Sequence, residues 1–206
     1  MTHTLHRRGS KKSLENDFVL FAIPAQGYNE KGSIPKLKRF FDIVINYQPI
    51  NYGDCGTGNK YGVGKQEIRE NITESSVVHA VFTNKEKFQN AMKEVKEADL
   101  GISIIGTGIL DAIDKLAKEV GINRHTIEYS LGIWGKKEKL PEPEILEITT
   151  MCGHNMISAN LVRSVIKKVK KEKMTPEEAA KEISPNCHCG VFNTKRAANI
   201  IKRIVR

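Results

Sequence analysis

The chain has no long apolar run and few aromatic residues. No hydrophobic stretch approaches the ~18–20 residues that a membrane-spanning helix needs, and Phe, Trp and Tyr together make up 6% of the chain. The opening stretch, MTHTLHRRGSKK, is basic but lacks the apolar segment of a secretory signal. These absences predict a cytoplasmic protein that makes no membrane contact.

Several catalytic motifs are also missing. The glycine-rich stretch GDCGTGNKYGVGK (53–65) lacks the spacing of a Walker phosphate loop, and neither a Gly-x-Ser-x-Gly elbow nor a His-Glu-x-x-His motif occurs. An enzyme without metal would have to use weaker candidates, of which we single out two, His125 and Asp54. His125 can titrate near neutrality, but no Asp stands at a recognisable spacing to orient it. Asp54 lies in the glycine-rich stretch, which an ordinary surface loop also explains.

Basic residues exceed acidic ones. The chain has 33 Lys and Arg against 24 Asp and Glu, a net charge of +9. Such a surplus suits nucleic acid, an acidic protein or a small anionic ligand. The C-terminal third supplies most candidate contacts to a macromolecular partner, namely Lys167, Lys168, Lys170, Lys171, Arg196, Lys202 and Arg203. A basic binding module with purely structural cysteines is therefore the alternative function, although aromatic residues do not alternate with the basic ones and solvated helix faces explain the same pattern.

The first two thirds of the chain alternate between strand and helix patterns. Apolar runs at 17–25, 75–83 and 100–108 and an alternating stretch at 125–134 predict strands, and helical periodicity follows the second and third of them. This order is typical of β-α-β units. We therefore expect an α/β or α+β protein whose layered β-α-β body covers residues 1–140.

The last third has a different character. A proline-rich joint at 140–144 precedes ILEITT (145–150), which reads as a short strand, and amphipathic helical patterns fill most of the remainder. Thr175, Pro176 and Glu178 form the signature of a capped helix start. We expect residues 141–206 to form a helical C-terminal unit, either as a separate domain or packed on the body as part of a single one.

Two short segments of this unit carry three of the four cysteines. TTMCGHN contains Cys152 and His154, and SPNCHCGVFN contains Cys187 and Cys189 on either side of His188. Each segment lies at a loop next to a predicted helix start, where free N–H groups favour the thiolate form. Three thiolates from two loops predict a metal site, whereas a catalytic thiol pair or structural cysteines are the alternatives.

The identity of the metal follows from the ligand chemistry. The Cys-x-x-Cys spacing of a zinc knuckle is missing from both segments, whereas an iron–sulfur cluster of the 4Fe–4S type needs thiolates above all. An iron–sulfur cluster is therefore preferred and zinc is the alternative. His154 and Cys55 are possible further ligands, Cys55 being the weakest candidate among the cysteines.

A small anionic ligand has one further candidate position. Gly106, Thr107 and Gly108 lie between a predicted strand and a predicted helix, where free amides can hold a carboxylate or phosphate, although a tight turn also explains these glycines. Taken together, the sequence predicts a cytoplasmic metal-binding protein, most readily an iron–sulfur protein. Its site lies where the body meets the C-terminal unit, and it acts in redox chemistry, cluster handling or catalysis on a small anionic substrate.

Overall fold

The computed structural model describes residues 6–206. In this part of the chain the strands are Phe18–Ile23 (β1), Asn51–Asp54 (β2), Gly58–Asn59 (β3), Val78–Phe82 (β4) and Ser103–Thr107 (β5). The helices are Lys11–Leu14 (α1), Ile34–Asn46 (α2), Lys65–Glu70 (α3), Lys85–Glu97 (α4), Leu110–Glu119 (α5), Pro143–Thr149 (α6), Ala159–Lys170 (α7), Pro176–Ile183 (α8) and Thr194–Val205 (α9), with short 3₁₀ turns at Lys137–Lys139 and Ser184–Asn186.

The strands form one antiparallel sheet in the order β3-β2-β4-β1-β5. β1 and β2 are both antiparallel to β4, which lies between them, so the β1-α2-β2 unit crosses over one strand. The β4-α4-β5 unit crosses over β1 in the same way. Two such split β-α-β units make up the order known as ferredoxin-like, a name that describes topology and not cluster binding.

Alternation along the strands gives the sheet two different faces. Phe18, Leu20 and Ala22 of β1 point towards α2, α4 and α5, and we call this side the apolar face. Val19 and Phe21 point towards α6–α9, and we call that side the cysteine face because Cys152, Cys187 and Cys189 are buried there. The chain is thus a mixed α/β protein with C-terminal helices, as the sequence predicts.

The helix starts follow recognisable capping rules. The Asn84 side chain accepts from the Lys87 amide at 2.9 Å and so begins α4. At α8 the Thr175 hydroxyl and the Glu178 carboxylate form a reciprocal capping box. The predicted start of α8 is confirmed.

Two predicted strands are wrong. The segment 125–134 is exposed and has no regular secondary structure, because its alternating pattern finds no strand to pair with. The segment 145–150 lies mainly in helix α6, which places Ile145 and Ile148 on one buried side. Pro143 at the first helical turn favours this start, and packing overrides the strand propensity of the β-branched residues.

Candidate metal centre

The structure brings all four cysteines of the chain together. Cys55 follows β2, Cys152 follows α6, and Cys187 and Cys189 lie in the turn that leads into α9. All four are free thiols, and only Cys55 is more than slightly exposed. We call this set of four residues the cysteine site. It lies on the cysteine face, between the sheet and the C-terminal helices.

The thiols of the cysteine site follow one another in a row. Cys152 is next to Cys187, Cys187 next to Cys189, and Cys189 next to Cys55, and each thiol shifts the pKa of its neighbour. Among residues 6–206, no group of three or more His, Cys, Asp or Glu side chains is preformed as a site for a metal ion. The site is therefore a row of thiols in contact and not a closed cage.

Alternating thiols hold their protons differently. The hydrogen bond from Cys187 lowers the pKa of Cys152 to about 6. The neighbouring thiols of Cys187 and Cys55 lower the pKa of Cys189 far more strongly. The pKa values of Cys187 and Cys55 rise, because each interacts with a thiol that loses its proton more readily and because burial disfavours the charged form. Cys152 and Cys189 are therefore the two thiols of the site that lose a proton most readily, and the thiolate is the form that binds metal.

Backbone N–H groups support both thiolates. The amides of His154 and Met156 hydrogen-bond to the Cys152 sulfur, and the amide of Val191 hydrogen-bonds to that of Cys189. The His154 ring is also close, with its Nδ1 3.7 Å from the Cys189 sulfur. Such donors to sulfur tune the charge and reduction potential of metal–thiolate centres.

Two glycines let the turn of Cys187 and Cys189 lie directly on strand β2. A Cβ atom at Gly53 would stand 2.7 Å from the Cys189 carbonyl oxygen, and one at Gly190 would stand 2.5 Å from the Tyr52 carbonyl. Gly190 also has a φ of +80°, which L side chains rarely adopt. Any larger residue at either position would push the cysteine turn away from the sheet.

Two buried asparagines hold the same turn in place. The Asn59 side chain donates to the carbonyls of Ser184, at 3.2 Å, and Cys187, at 3.0 Å. The Asn51 side chain donates to the Phe192 carbonyl at 2.9 Å. Asn59 and Asn51 are 1% and 0% exposed. Because a buried polar group is costly unless it is hydrogen-bonded, these pairs fix the position of the turn on the sheet.

Asp54 positions the loop that carries Cys55. Its carboxylate is 1% exposed and accepts four hydrogen bonds, from the amides of Gly56, Thr57 and Val77 and from the Thr57 hydroxyl, all between 3.0 and 3.1 Å. This arrangement gives the candidate Asp54 a structural part in the cysteine site. Its spacing to Gly56 and Thr57 is the local signal by which the sequence could have shown this turn.

Arg7 connects the two cysteine-bearing segments of the C-terminal unit. Its guanidinium donates to the carbonyl of Met151, which precedes Cys152, at 3.5 Å. It also donates to the carbonyl of Val191, close after Cys189, and to the Asp17 carboxylate. A residue of the N-terminal stretch thus holds both segments, which no local sequence pattern indicates.

The other candidate residues lie in different places. His188 has its Nε2 3.4 Å from the Gly56 carbonyl oxygen, and His125 is in the exposed segment after α5. His79 is buried and stacks on Phe21 with ring centroids 5.1 Å apart.

The glycine turn at 106–108 is separate from the cysteine site. Thr107 pairs with Val19 at one end of the sheet, whereas Asp54 pairs with Val78 at the other end. β5 and β2 also lie on opposite sides of the central strand pair. A Cβ atom at Gly108 would stand 3.1 Å from Ile113, so close packing already calls for a small residue there.

The basic C-terminal helices are partly neutralised. Arg196, one of the predicted partner contacts, is 3% exposed and pairs with Asp17 at 2.8 Å, so a partner cannot reach it. Lys168 pairs with Glu182 at 2.6 Å. Arg203 pairs with Glu147 at 2.5 Å, and the other basic residues of α7 and α9 stay a predicted contact surface.

Comparison with known proteins adds no assignment. No protein-family model, no curated protein and no solved structure matches the chain. Within residues 6–206, none of the helices combines the length and the apolar character needed to cross a membrane.

Proposed function

We propose that the chain is a metal-binding protein whose four cysteines hold an iron–sulfur cluster. The observation that carries the proposal is the meeting of all four thiols. They come from three segments separated by up to 134 positions, and they lie next to one another in the interior. Small buried cysteines that only fill space have no need to converge in this way.

The surroundings of the sulfur atoms support a metal more than a purely structural role. Backbone amides already donate to two of the four sulfurs, which stabilises them as thiolates. A buried thiolate without a counter-charge is costly, and a bound metal supplies that charge. The Gly53 and Gly190 contacts and the asparagine hydrogen bonds hold the thiols on a rigid support, as a metal site requires.

The donor set fits an iron–sulfur cluster of the 4Fe–4S type. Four cysteine thiolates are its usual ligands, and the neighbouring Cys187 and Cys189 have one residue between them instead of the two to four usual in zinc sites. Such a cluster supplies one-electron transfer. Because Cys55 joins the other three thiols, the four ligands favour electron transfer over catalysis at an open iron. Zinc is the alternative metal.

The proposal includes a cytoplasmic location. The four thiols are free of disulfides, and a reducing compartment would keep them available for metal.

Anaerobic purification followed by iron, sulfide and zinc analysis tests the proposal. We expect iron and sulfide in stoichiometric amounts together with a broad visible absorption band. Cys187→Ala should remove both, because this thiol contacts two others. His188→Ala is the matched control: the ring lies in the same turn but contacts the Gly56 carbonyl, so the metal should remain.

Each other result has a definite meaning. Zinc without iron would replace the iron–sulfur proposal by a Cys₄ zinc site. Folded wild-type protein that contains neither metal and takes up neither on anaerobic reconstitution would contradict metal binding itself.

A further inference from the structure

A cleft of about 610 Å³ opens beside the start of β2, away from the cysteine thiols. Its walls come from the α2–β2 connection, the β4–α4 junction and the first turn of α9. Three lysines line it, Lys60, Lys87 and Lys195, and we call it the lysine cleft. Its volume is in the range of pockets that bind small organic molecules.

The lysine cleft is strongly positive. No Asp or Glu lines it, and in the described part of the chain none of its three lysines forms an ion pair with a carboxylate. Lys87 donates to the Gln48 side-chain oxygen at 2.8 Å, which leaves its charge uncompensated. The start of helix α4 at Asn84 adds the positive end of a helix dipole.

Lys60 lies among aromatic rings. Its ammonium is 5.7 Å from the ring centre of Tyr52 and 5.6 Å from that of Tyr61. Burial, together with the nearby charge of Lys181, lowers the pKa of Lys60. An anion in the cleft would relieve this repulsion.

Part of the remaining lining is apolar. Ile45, Pro49, Ile50 and Phe82 line the cleft beside Tyr52, and Gln48, Thr83 and Asn84 add polar groups. An apolar wall beside polar groups that fix orientation is typical of sites for small organic ligands. The lysines also come from three separate elements and face one cleft. They do not follow a stripe across the surface, as a nucleic-acid backbone would require.

We propose that the lysine cleft binds a small organic phosphate that carries a flat ring, of the size of a nucleoside monophosphate. Its phosphate contacts Lys60, Lys87 and Lys195, and its ring packs against Tyr52 and the apolar wall. This site is independent of the metal proposed for the cysteine site.

Isothermal titration calorimetry with three probes tests the proposal. AMP carries both parts of the proposed ligand, inorganic phosphate lacks the ring, and adenosine lacks the charge. We expect AMP to bind at least about tenfold more tightly than either of the other two, because each part contributes to the affinity.

Variants place the binding in the cleft. Lys60→Met and Lys195→Met each remove one charge from a different element and should weaken AMP binding about tenfold, as loss of a hydrogen bond to a charged group does. Lys139→Met removes an exposed lysine outside the cleft and should leave the affinity unchanged. Unfolding midpoints show whether each variant is folded.

The proposal is overturned by any of three results. AMP does not bind to the folded wild-type protein, phosphate binds as tightly as AMP, or all three lysine variants weaken binding equally. Binding of a single-stranded oligonucleotide without binding of AMP would likewise reject it in favour of a nucleic-acid surface.

Discussion

The two faces of the sheet pack against different kinds of side chain. Helices α2, α4 and α5 pack on the apolar face with apolar side chains, whereas α6–α9 pack on the cysteine face with aliphatic, polar and sulfur-containing side chains. The buried residues of the apolar face include five phenylalanines, Phe18, Phe40, Phe41, Phe82 and Phe88. The cysteine face has two, Phe21 and Phe192, together with three of the thiols. The same strands therefore build two interiors of different chemistry.

The two faces are stabilised in different ways. Burial of large apolar side chains stabilises the apolar face in proportion to the area removed from water. The cysteine face instead buries groups that would be costly on their own, among them Asp17, Asn51, Asn59 and Arg196. Each of these four is hydrogen-bonded to a partner on another segment. The comparison indicates that both faces stabilise the fold, the apolar face by apolar burial alone and the cysteine face also through paired polar groups around the site.

The largest effect should come from the charge network of the cysteine face. Asp17 is fully buried and accepts hydrogen bonds from Arg7, from Arg196 at 2.8 Å and from Asn193 at 3.0 Å. Asp17→Asn would remove the carboxylate that Arg7 and Arg196 share, and it would leave Arg196 only its 3.4 Å pair with Glu147 among the described residues. We expect the free energy of unfolding to fall by about 3–5 kcal/mol, measured by urea denaturation.

The same substitution on the other side of the molecule is the control. Asp42 of α2 pairs with Arg69 at the surface, at 2.7 Å, and Asp42→Asn should cost less than about 1 kcal/mol. Similar losses in both variants would show that the two faces do not differ in the way we describe.

Local pattern was sufficient for much of the fold. β1, β4 and β5 were predicted because each is a short apolar run between turn residues. α4 and α5 were predicted because apolar residues recur along each of them at helical spacing. The local pattern favoured a strand at 145–150, but the segment is mainly helical because Ile145 and Ile148 pack against the other C-terminal helices. These contacts form only in the folded protein, so the six residues alone do not indicate them.

The cysteine site was predictable only in part. Cys152, Cys187 and Cys189 were proposed as one site from their loop positions, and the structure places their thiols in contact. Cys55 was the weakest candidate, because only the assembled sheet brings residue 55 next to residue 189. Arg196 was taken for a surface charge because its partner Asp17 lies 179 positions earlier in the chain.

The second largest loss of stability should come from substitution of Gly190, where the turn of Cys187 and Cys189 lies directly on β2. Gly190 and Gly27 have nearly equal φ angles, +80° and +79°, but a Cβ atom would meet the Tyr52 backbone at 2.5 Å at Gly190 and nothing within 4 Å at Gly27. Either substitution by Ala costs about 1–2 kcal/mol for the left-handed backbone. Gly190→Ala should cost about 1–3 kcal/mol more, because the turn must move away from β2.

Urea denaturation of both variants, with metal analysis of each, separates the two contributions. We expect Gly27→Ala to keep a full complement of metal and Gly190→Ala to lose part of it. Equal stability of the two variants would show that the turn can shift from β2 without cost, and the rigid support proposed for the cysteine site would then be wrong.

The smallest effect should come from the surface pair on the side of the apolar face. The hydrogen bond and charge of Arg69 hold the pKa of the Asp42 carboxyl below its usual value. A pKa that is lower in the folded state stabilises the fold above the unfolded value of about 3.9, and this stabilisation is lost as the pH falls through the folded value. The pair is more than one third exposed, so solvent screening limits its contribution to about 0.5 kcal/mol. The difference in unfolding free energy between wild type and Asp42→Asn should therefore shrink as the pH is lowered from about 6 to about 3. If the difference in unfolding free energy stays constant or grows over this range, the effect of the substitution does not come from loss of the Asp42–Arg69 ion pair.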